Sequence, residues 1–270
     1  MQASATFPWP QDDPLQDDAL TGEMRIWQRV KGHRYSLDDV LTARAALDAF
    51  PTAESYLDLG CGIGSVLLMV LSELKATRAL GIEAQEQSYA LACENVDRNG
   101  LGDRVCLVRG DLRDANALMD QSKDRFALIT GTPPYQRPGT ATPSPDPQRA
   151  HARIEYRGGV EEYLAAIARW LAPGGKAVVC AEGRRPERVL DRVEELGLQV
   201  VSRLDAYPRA GRSTPLFSVW TVEFGNDGAG DFSHRHFIAR DKDGVRTDAY
   251  HKLRCSFGIQ PTPAGSKSDE

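Results

Sequence analysis

From residue 55 onward the chain alternates two hydrophobic patterns. Short apolar runs at 55–59, 78–83, 105–109, 126–130, 176–181, 199–204 and 216–224 have strand length. Between them, at 64–75, 85–99, 160–171 and 186–196, apolar residues recur at the three- and four-residue spacing of amphipathic helices. In the last of these Val189, Val193 and Leu196 share one face, with Arg188 and Arg192 off it. Strands alternating with helices of this length predict an α/β fold. The expected architecture is a doubly wound, mostly parallel, seven-stranded Rossmann-like sheet covered on both faces.

The flanks depart from this rhythm. Residues 1–20 are rich in Pro, Asp and Gln, with Asp12, Asp13, Asp17 and Asp18, and read as a disordered acidic arm that Phe7 and Trp9 dock on the domain. Residues 21–52 read as an N-terminal cap. Within it 24–35 suggest a short strand or a hairpin turning near Gly32. Ser36 is then the expected N-cap of a helix, with Asp39 completing an acidic capping box and Pro51 ending the helix after Phe50. Residues 53–225 form the main domain. Inside it 131–159 is a long polar, Pro-rich loop, and 136–150 are expected to be mobile without a substrate. Residues 226–270 read as a C-terminal segment with a hairpin turning at Asp243-Gly244, then a disordered tail over 261–270.

Composition narrows the class. The 270 residues are 41% hydrophobic and 26% charged, with a formal net charge of -5 and a pI of about 5.6. A nucleic-acid surface on such a chain has to be local. Five scattered cysteines show no paired spacing, and the five histidines no ligand spacing, so neither a disulfide framework nor a metal is expected. No leader-like segment or 18-residue apolar run is seen, which predicts a cytoplasmic protein with no membrane partner.

Two stretches carry the chemistry. Asp58-Leu59-Gly60-Cys61-Gly62-Ile63-Gly64 joins a strand to a helix start. Glycines there permit positive φ and let a ligand touch the backbone, and the helix start offers unpaired N–H groups. Asp58 ends the strand, where it can accept hydrogen bonds from a ligand amine. The spacing D-x-G-x-G-x-G differs from the dinucleotide fingerprint and fits S-adenosylmethionine. Glu83, ending the second strand, can accept from ribose hydroxyls. Asp111 after the third strand can accept from an adenine amine, with Leu112 and Ala84 on the two faces of the ring. Thr130-Gly131-Thr132-Pro133-Pro134-Tyr135 follows the fourth strand at the same sheet edge. Its two prolines stiffen the loop and leave a carbonyl free to accept from a planar amine, and Tyr135 offers a stacking face.

The Pro-Pro-aromatic motif together with Asp58-Leu59-Gly60-Cys61-Gly62 resembles the class I S-adenosylmethionine-dependent amino-methyltransferases. Within them, Arg34 to Ala43, Ala152 to Glu155, Arg185 to Arg188 and Phe237 to Tyr250 resemble the bacterial tRNA(Val) adenine-N6 methyltransferases. The resemblance implies that Asp58, Gly60, Gly62, Gly64, Glu83, Ala84, Asp111 and Leu112 bind the cofactor. Ser36 to Leu41, with Asp38, would close over it. Thr132, Pro133 and Tyr135 would hold the acceptor amine and its base. The family motif begins with Asn, Asp or Ser, and this chain has Thr132 there. A hydroxyl on a shorter, branched side chain changes reach and geometry.

Arginines cluster as Arg137, Arg149, Arg153 and Arg157 in the long loop, and as Arg184, Arg185, Arg188, Arg209 and Arg212 near two later turns. Arg137, Arg153, Arg184, Arg185 and Arg212 are the expected tRNA contacts. A helix surface paired with Glu187, Asp191, Glu194 and Glu195 is the alternative use of the second group. The leading expectation is adenine-N6 methylation of tRNA by a monomer or weak dimer. Methylation of a small molecule or protein amide, and a cofactor-binding scaffold without catalysis, remain open beside it.

Overall fold

The computed structural model describes residues 8–114, 124–225 and 232–260. β3 (Ser55–Leu59), α2 (Ser65–Glu73), β4 (Arg78–Glu83), α3 (Glu86–Arg98), β5 (Val105–Arg109) and β6 (Phe126–Gly131) follow the predicted alternation closely. So do α5 (Val160–Trp170), β7 (Leu171–Glu182), α6 (Glu187–Glu195), β8 (Leu198–Tyr207) and β9 (Phe217–Phe224). The strands form one mostly parallel sheet, and only β9 runs against its neighbours. Strand order from β5 through β4 and β3 to β6 and β7 reverses the direction of chain progress between β3 and β6. Such a switch point opens a crevice at the carboxyl ends of the strands, where ligands of this fold bind.

Period-two alternation splits the core. Val178 and Cys180 of β7 join the cluster with Leu41, Leu67 and Leu68, whereas Ala177, Val179 and Ala181 join that with Leu164, Ile167 and Trp170. The two clusters put α1 (Leu37–Ala49) and α2 on one face, and α5 and α6 on the other. The central strands β3, β6, β7 and β9 are therefore buried on both sides, which explains their nearly continuous apolar runs.

Several expectations need correction. Residues 8–20 are not a disordered arm: β1 (Leu15–Ala19) pairs antiparallel with β2 (Arg25–Arg29). The hairpin partner of 25–29 thus precedes it, and the expected turn near Gly32 is not a hairpin. Asp13, just before β1, is 3% exposed and ion-paired to the equally buried Arg29. The long loop carries α4 (Pro147–Arg153), N-capped by Asp146. β7 begins at Leu171 rather than after the glycines, because Phe126 pairs with Leu171 and Leu128 with Lys176, so Pro173-Gly174-Gly175 forms an irregularity within the strand. An eighth strand, β10 (Ser233–Ile238), adds parallel to β8, and the expected hairpin is reduced to a short turn at Asp243-Gly244, with Arg240 bridged to Arg246 and the Asp241 N–H bonded to the Val245 carbonyl. The chain then enters α7 (Asp248–Ser256), which the sequence pattern does not signal. Phe7 and the tail 261–270 lie outside the described residues.

Candidate active site

β3 delivers the glycine turn to the switch point. Gly60, Gly62 and Gly64 have φ of 59°, 58° and 87°, all in the region that favours glycine. Gly60 is also crowded: a Cβ there would lie 2.1 Å from the Tyr163 hydroxyl. A Cβ on Gly62 would meet nothing within 4 Å, so this backbone borders open space. Gly64 precedes α2 as its N-cap.

That space is a cleft, open on one side. Gly60 to Ile63, Glu83 to Gln85 and Gly110 to Leu112 line one part, and Thr132 and Pro134 another. The opposite wall comes from the N-terminal cap and the long loop, through His33, Tyr35, Asp39, Gln148, His151 and Arg157. Of the predicted sheet-edge residues, Gly60, Gly62, Glu83, Ala84, Asp111, Leu112 and Thr132 meet on this cleft. The second wall was less legible, because its side chains meet only after the cap and α4 fold over the sheet.

Glu83 accepts from the Gly62 N–H at 2.9 Å and the Gln85 N–H at 2.6 Å, which orients it under the turn. Burial raises its carboxyl above the usual range, with those two amides opposing. Asp111 behaves oppositely: hydrogen bonds from Arg113, at 2.7 Å and 2.9 Å, lower its pKa despite partial burial. Arg157 lies 3.8 Å from the same carboxylate. Asp58 is 2% exposed and accepts from the Thr130 hydroxyl at 2.7 Å, which is itself 2.6 Å from the Tyr56 hydroxyl. Its Oδ2 makes no hydrogen bond among the described residues. Burial pushes the Asp58 carboxyl up to about 7. It lies beneath the cleft and is not part of its lining.

Around the proline motif the structure differs from expectation. Thr132 lines the cleft and donates to Asp39 Oδ1 at 3.4 Å, while Pro133 is buried and absent from the lining. Tyr135 does not offer its ring to the cleft. It packs on the core, with its hydroxyl donating to Asp38 at 2.9 Å and 2.7 Å from Cys180 Sγ. An apolar ring beside α1 finds more contact there than at the cleft mouth, and Asp38 satisfies the phenol. Asp38 is thus a partner of Tyr135 rather than a lining residue. Asp39, read from sequence only as a helix cap, does cap the Ser36 N–H at 2.9 Å and also faces the cleft.

Of the expected tRNA contacts, Arg137, Arg153, Arg184, Arg185 and Arg212 are all exposed. Arg153 and Arg149 on α4 are close enough to His33 to help hold its pKa down, after burial. Arg137 and Arg185 line a separate shallow pocket with Glu161, Glu187, Asp191 and Glu195. Arg188 is no RNA contact: Glu155 and Glu161 hold it at 2.7 Å and 2.6 Å with its side chain 9% exposed. Far from this cleft, Asp205, His234 and His236 also come together, with ligand atoms within 4.8 Å of one another, a grouping the sequence spacing does not signal.

A glycine turn at the switch point, an acid ending the next strand and a stiff proline loop on a shared cleft are the arrangement of a class I methyltransferase fold. Residues 36–144 match the family of the methyltransferase small domain, and S-adenosylmethionine is the cofactor that this domain implies. The residues present fit that group: the Glu83 and Asp111 carboxylates line the cleft as acceptors for hydroxyls and an amine, and the bare Gly62 backbone leaves room for it.

The chain is 28% identical over 215 residues to a tRNA1(Val) (adenine(37)-N6)-methyltransferase of Shewanella loihica, covering 77% of this chain and 86% of that one. It is 37% identical over 139 residues to a release factor glutamine methyltransferase of Caulobacter vibrioides, covering 48% of this chain and 46% of that one. A Porphyromonas gingivalis tRNA1(Val) (adenine(37)-N6)-methyltransferase matches at 30% over 145 residues, 53% of this chain and 56% of that one. The chain thus spans about half the length of the last two relatives. Among solved structures, a predicted O-methyltransferase from Agrobacterium tumefaciens shares the fold with a TM-score of 0.61 at 15% identity, covering 83% of this chain and 98% of that one. No described helix is long and apolar enough to cross a membrane.

Proposed function

We propose that this protein is an S-adenosylmethionine-dependent N-methyltransferase acting on the exocyclic amine of an adenine in tRNA. The observation that carries this reading is the placement of Thr132 and Pro134 on the same cleft as the glycine turn and Glu83. A planar amine brought beside Thr132 meets acceptors while its nitrogen faces the cofactor half of the cleft. Methyl transfer from a sulfonium releases a neutral thioether, so positioning and acceptors for the growing positive charge on nitrogen carry the catalysis. The base must leave its stack to reach such a site. Likeness to the Shewanella enzyme along most of both chains favours tRNA. Half-buried Arg149 and exposed Arg153 on α4, near the His33 wall, provide positive charge at the mouth.

The glutamine amide of a protein is the second reading, favoured by the 37% identity to the Caulobacter enzyme over the shared region. Both acceptors are planar nitrogens, so the loop geometry suits either. The test is transfer of labelled methyl from S-adenosylmethionine to transcribed valine tRNA and to a purified release factor. Label in N6-methyladenosine is the expected result. Label only in the release factor moves the reading to protein amides, and label in neither, with cofactor bound, overturns both.

A further inference from the structure

The loop begins with Thr132, whose side chain carries neither an amide nor a carboxylate. The structure supplies a carboxylate from elsewhere. Asp39, on the first turn of α1, lies beside Thr132, accepts its hydroxyl at 3.4 Å, and is one of the residues that line the cleft. Its other oxygen is held by the Ser36 N–H, which fixes the side chain. We infer that the Asp39 carboxylate faces the reacting nitrogen, with the Thr132 hydroxyl steering it, and takes the proton that nitrogen gives up. This rests on the methyltransferase reading and adds to it a residue from outside the proline motif.

The step balances as follows. The acceptor nitrogen attacks the methyl carbon, a C–N bond forms, and the C–S bond breaks with its electron pair kept by sulfur. The nitrogen then carries a positive charge and one proton too many. That proton passes to the Asp39 carboxylate, and from there to solvent through the open side of the cleft. A Thr hydroxyl can accept a hydrogen bond from the amine but cannot keep a proton; a carboxylate does both.

The surroundings support this role. Asp39 is 8% exposed, and burial followed by the neighbouring Asp38 holds its carboxyl well above the usual range. A carboxyl so placed binds a proton readily, and a cation entering the cleft opposes the rise and favours the ionised form. Asp58 adds negative charge from β3, and Cys180 approaches as a neutral group whose own ionisation burial suppresses. His33, on the same wall, has its pKa lowered by burial, with Asp38 opposing and Arg153 and Arg149 adding to the fall.

Sinefungin and S-adenosylhomocysteine provide a test that needs no acceptor. The first carries an ammonium where the methyl group would stand, and the second has nothing there. Calorimetry of the wild type and of Asp39→Asn measures affinity for each. Asn is isosteric and its side-chain oxygen still caps Ser36; Asp39→Ser is the second variant should Asn fail to fold. The expected result is that the wild type prefers sinefungin by about tenfold or more, the scale of a charge-assisted hydrogen bond. The variant should lose that preference while binding S-adenosylhomocysteine as before. Equal binding of both ligands by the wild type overturns the inference and leaves the methyltransferase reading standing. So does a preference that survives in the variant. A folded wild type that binds neither ligand overturns the methyltransferase reading and, with it, this inference.

Discussion

Asp58 lies 2% exposed beneath the glycine turn, and burial moves its carboxyl from 3.8 to about 7. Below the lower value both folded and unfolded chains hold the proton, and the group contributes nothing to pH dependence. Between the two values only the folded chain holds it, so stability falls as pH rises, and above about 7 the loss is complete. Glu83 and Asp39 are raised as well and add to the same slope. We expect the wild-type melting temperature to fall between pH 4 and 7 relative to Asp58→Asn, which removes one such group. A cation in the cleft favours ionised Asp58, so binding S-adenosylmethionine near pH 7 should release a proton. Calorimetry in buffers of different ionisation enthalpy reads that release directly; wild-type heats that do not depend on the buffer would refute it. The residue type was legible in the D-x-G-x-G-x-G spacing. Its protonation was not, because burial by α2 and β6 decides it.

At the scale of elements, Arg29 ties four segments together. Its side chain is 2% exposed and pairs with Asp13 at 2.7 Å and Asp146 at 2.6 Å, and it donates to Gln87 at 2.9 Å and Gln148 at 3.2 Å. Gln148 also accepts from the His33 N–H, donates to Ser88, and lines the cleft. The β1–β2 hairpin, α3 and α4 thereby meet behind the second wall of the site. Arg29→Met would leave two carboxylates buried without their cation, a loss of about 3–5 kcal/mol. Urea unfolding measures it, and Asp13→Asn in the same chain should recover part. If the clamp holds the wall, the folded variant also binds S-adenosylhomocysteine more weakly. None of this was visible in residues 1–20, whose acidic composition reads as a solvated arm. Its aspartates find their arginines only through partners distant in the chain.

On the tRNA reading, net charge works against binding and local charge works for it. The chain carries -5 overall, yet α4 places Arg149 and Arg153 close to His33 on the cleft wall. Arg185, by contrast, sits 3.8 Å from Glu182 and shares its pocket with four acids. Arg153→Ala should therefore reduce the slope of log affinity for valine tRNA against log salt by about 1, as the loss of one phosphate contact does. Arg185→Ala should leave that slope nearly unchanged. Filter binding across a salt series distinguishes them, and the reverse ranking would move the RNA face from α4 to the β7–α6 turn.

The alternation of strand and helix, the positive-φ glycines and the proline loop were all determined by the sequence alone. Each depends on local sterics or on burial of one segment against a layer, and such preferences are written in neighbouring residues. Long-range pairing decided the rest. β10 joined the sheet because β8 left an edge open to it, and β1 formed because Arg29 and β2 gave the acidic segment partners. Tyr135 turned from the cleft because Asp38 and Cys180 received its hydroxyl. Asp39 reached Thr132, 93 positions away, because α1 packs on one face of the sheet with its first turn beside the loop after β6. A side chain's type is local, but its neighbours, its charge state and the cavity it faces are properties of the folded whole.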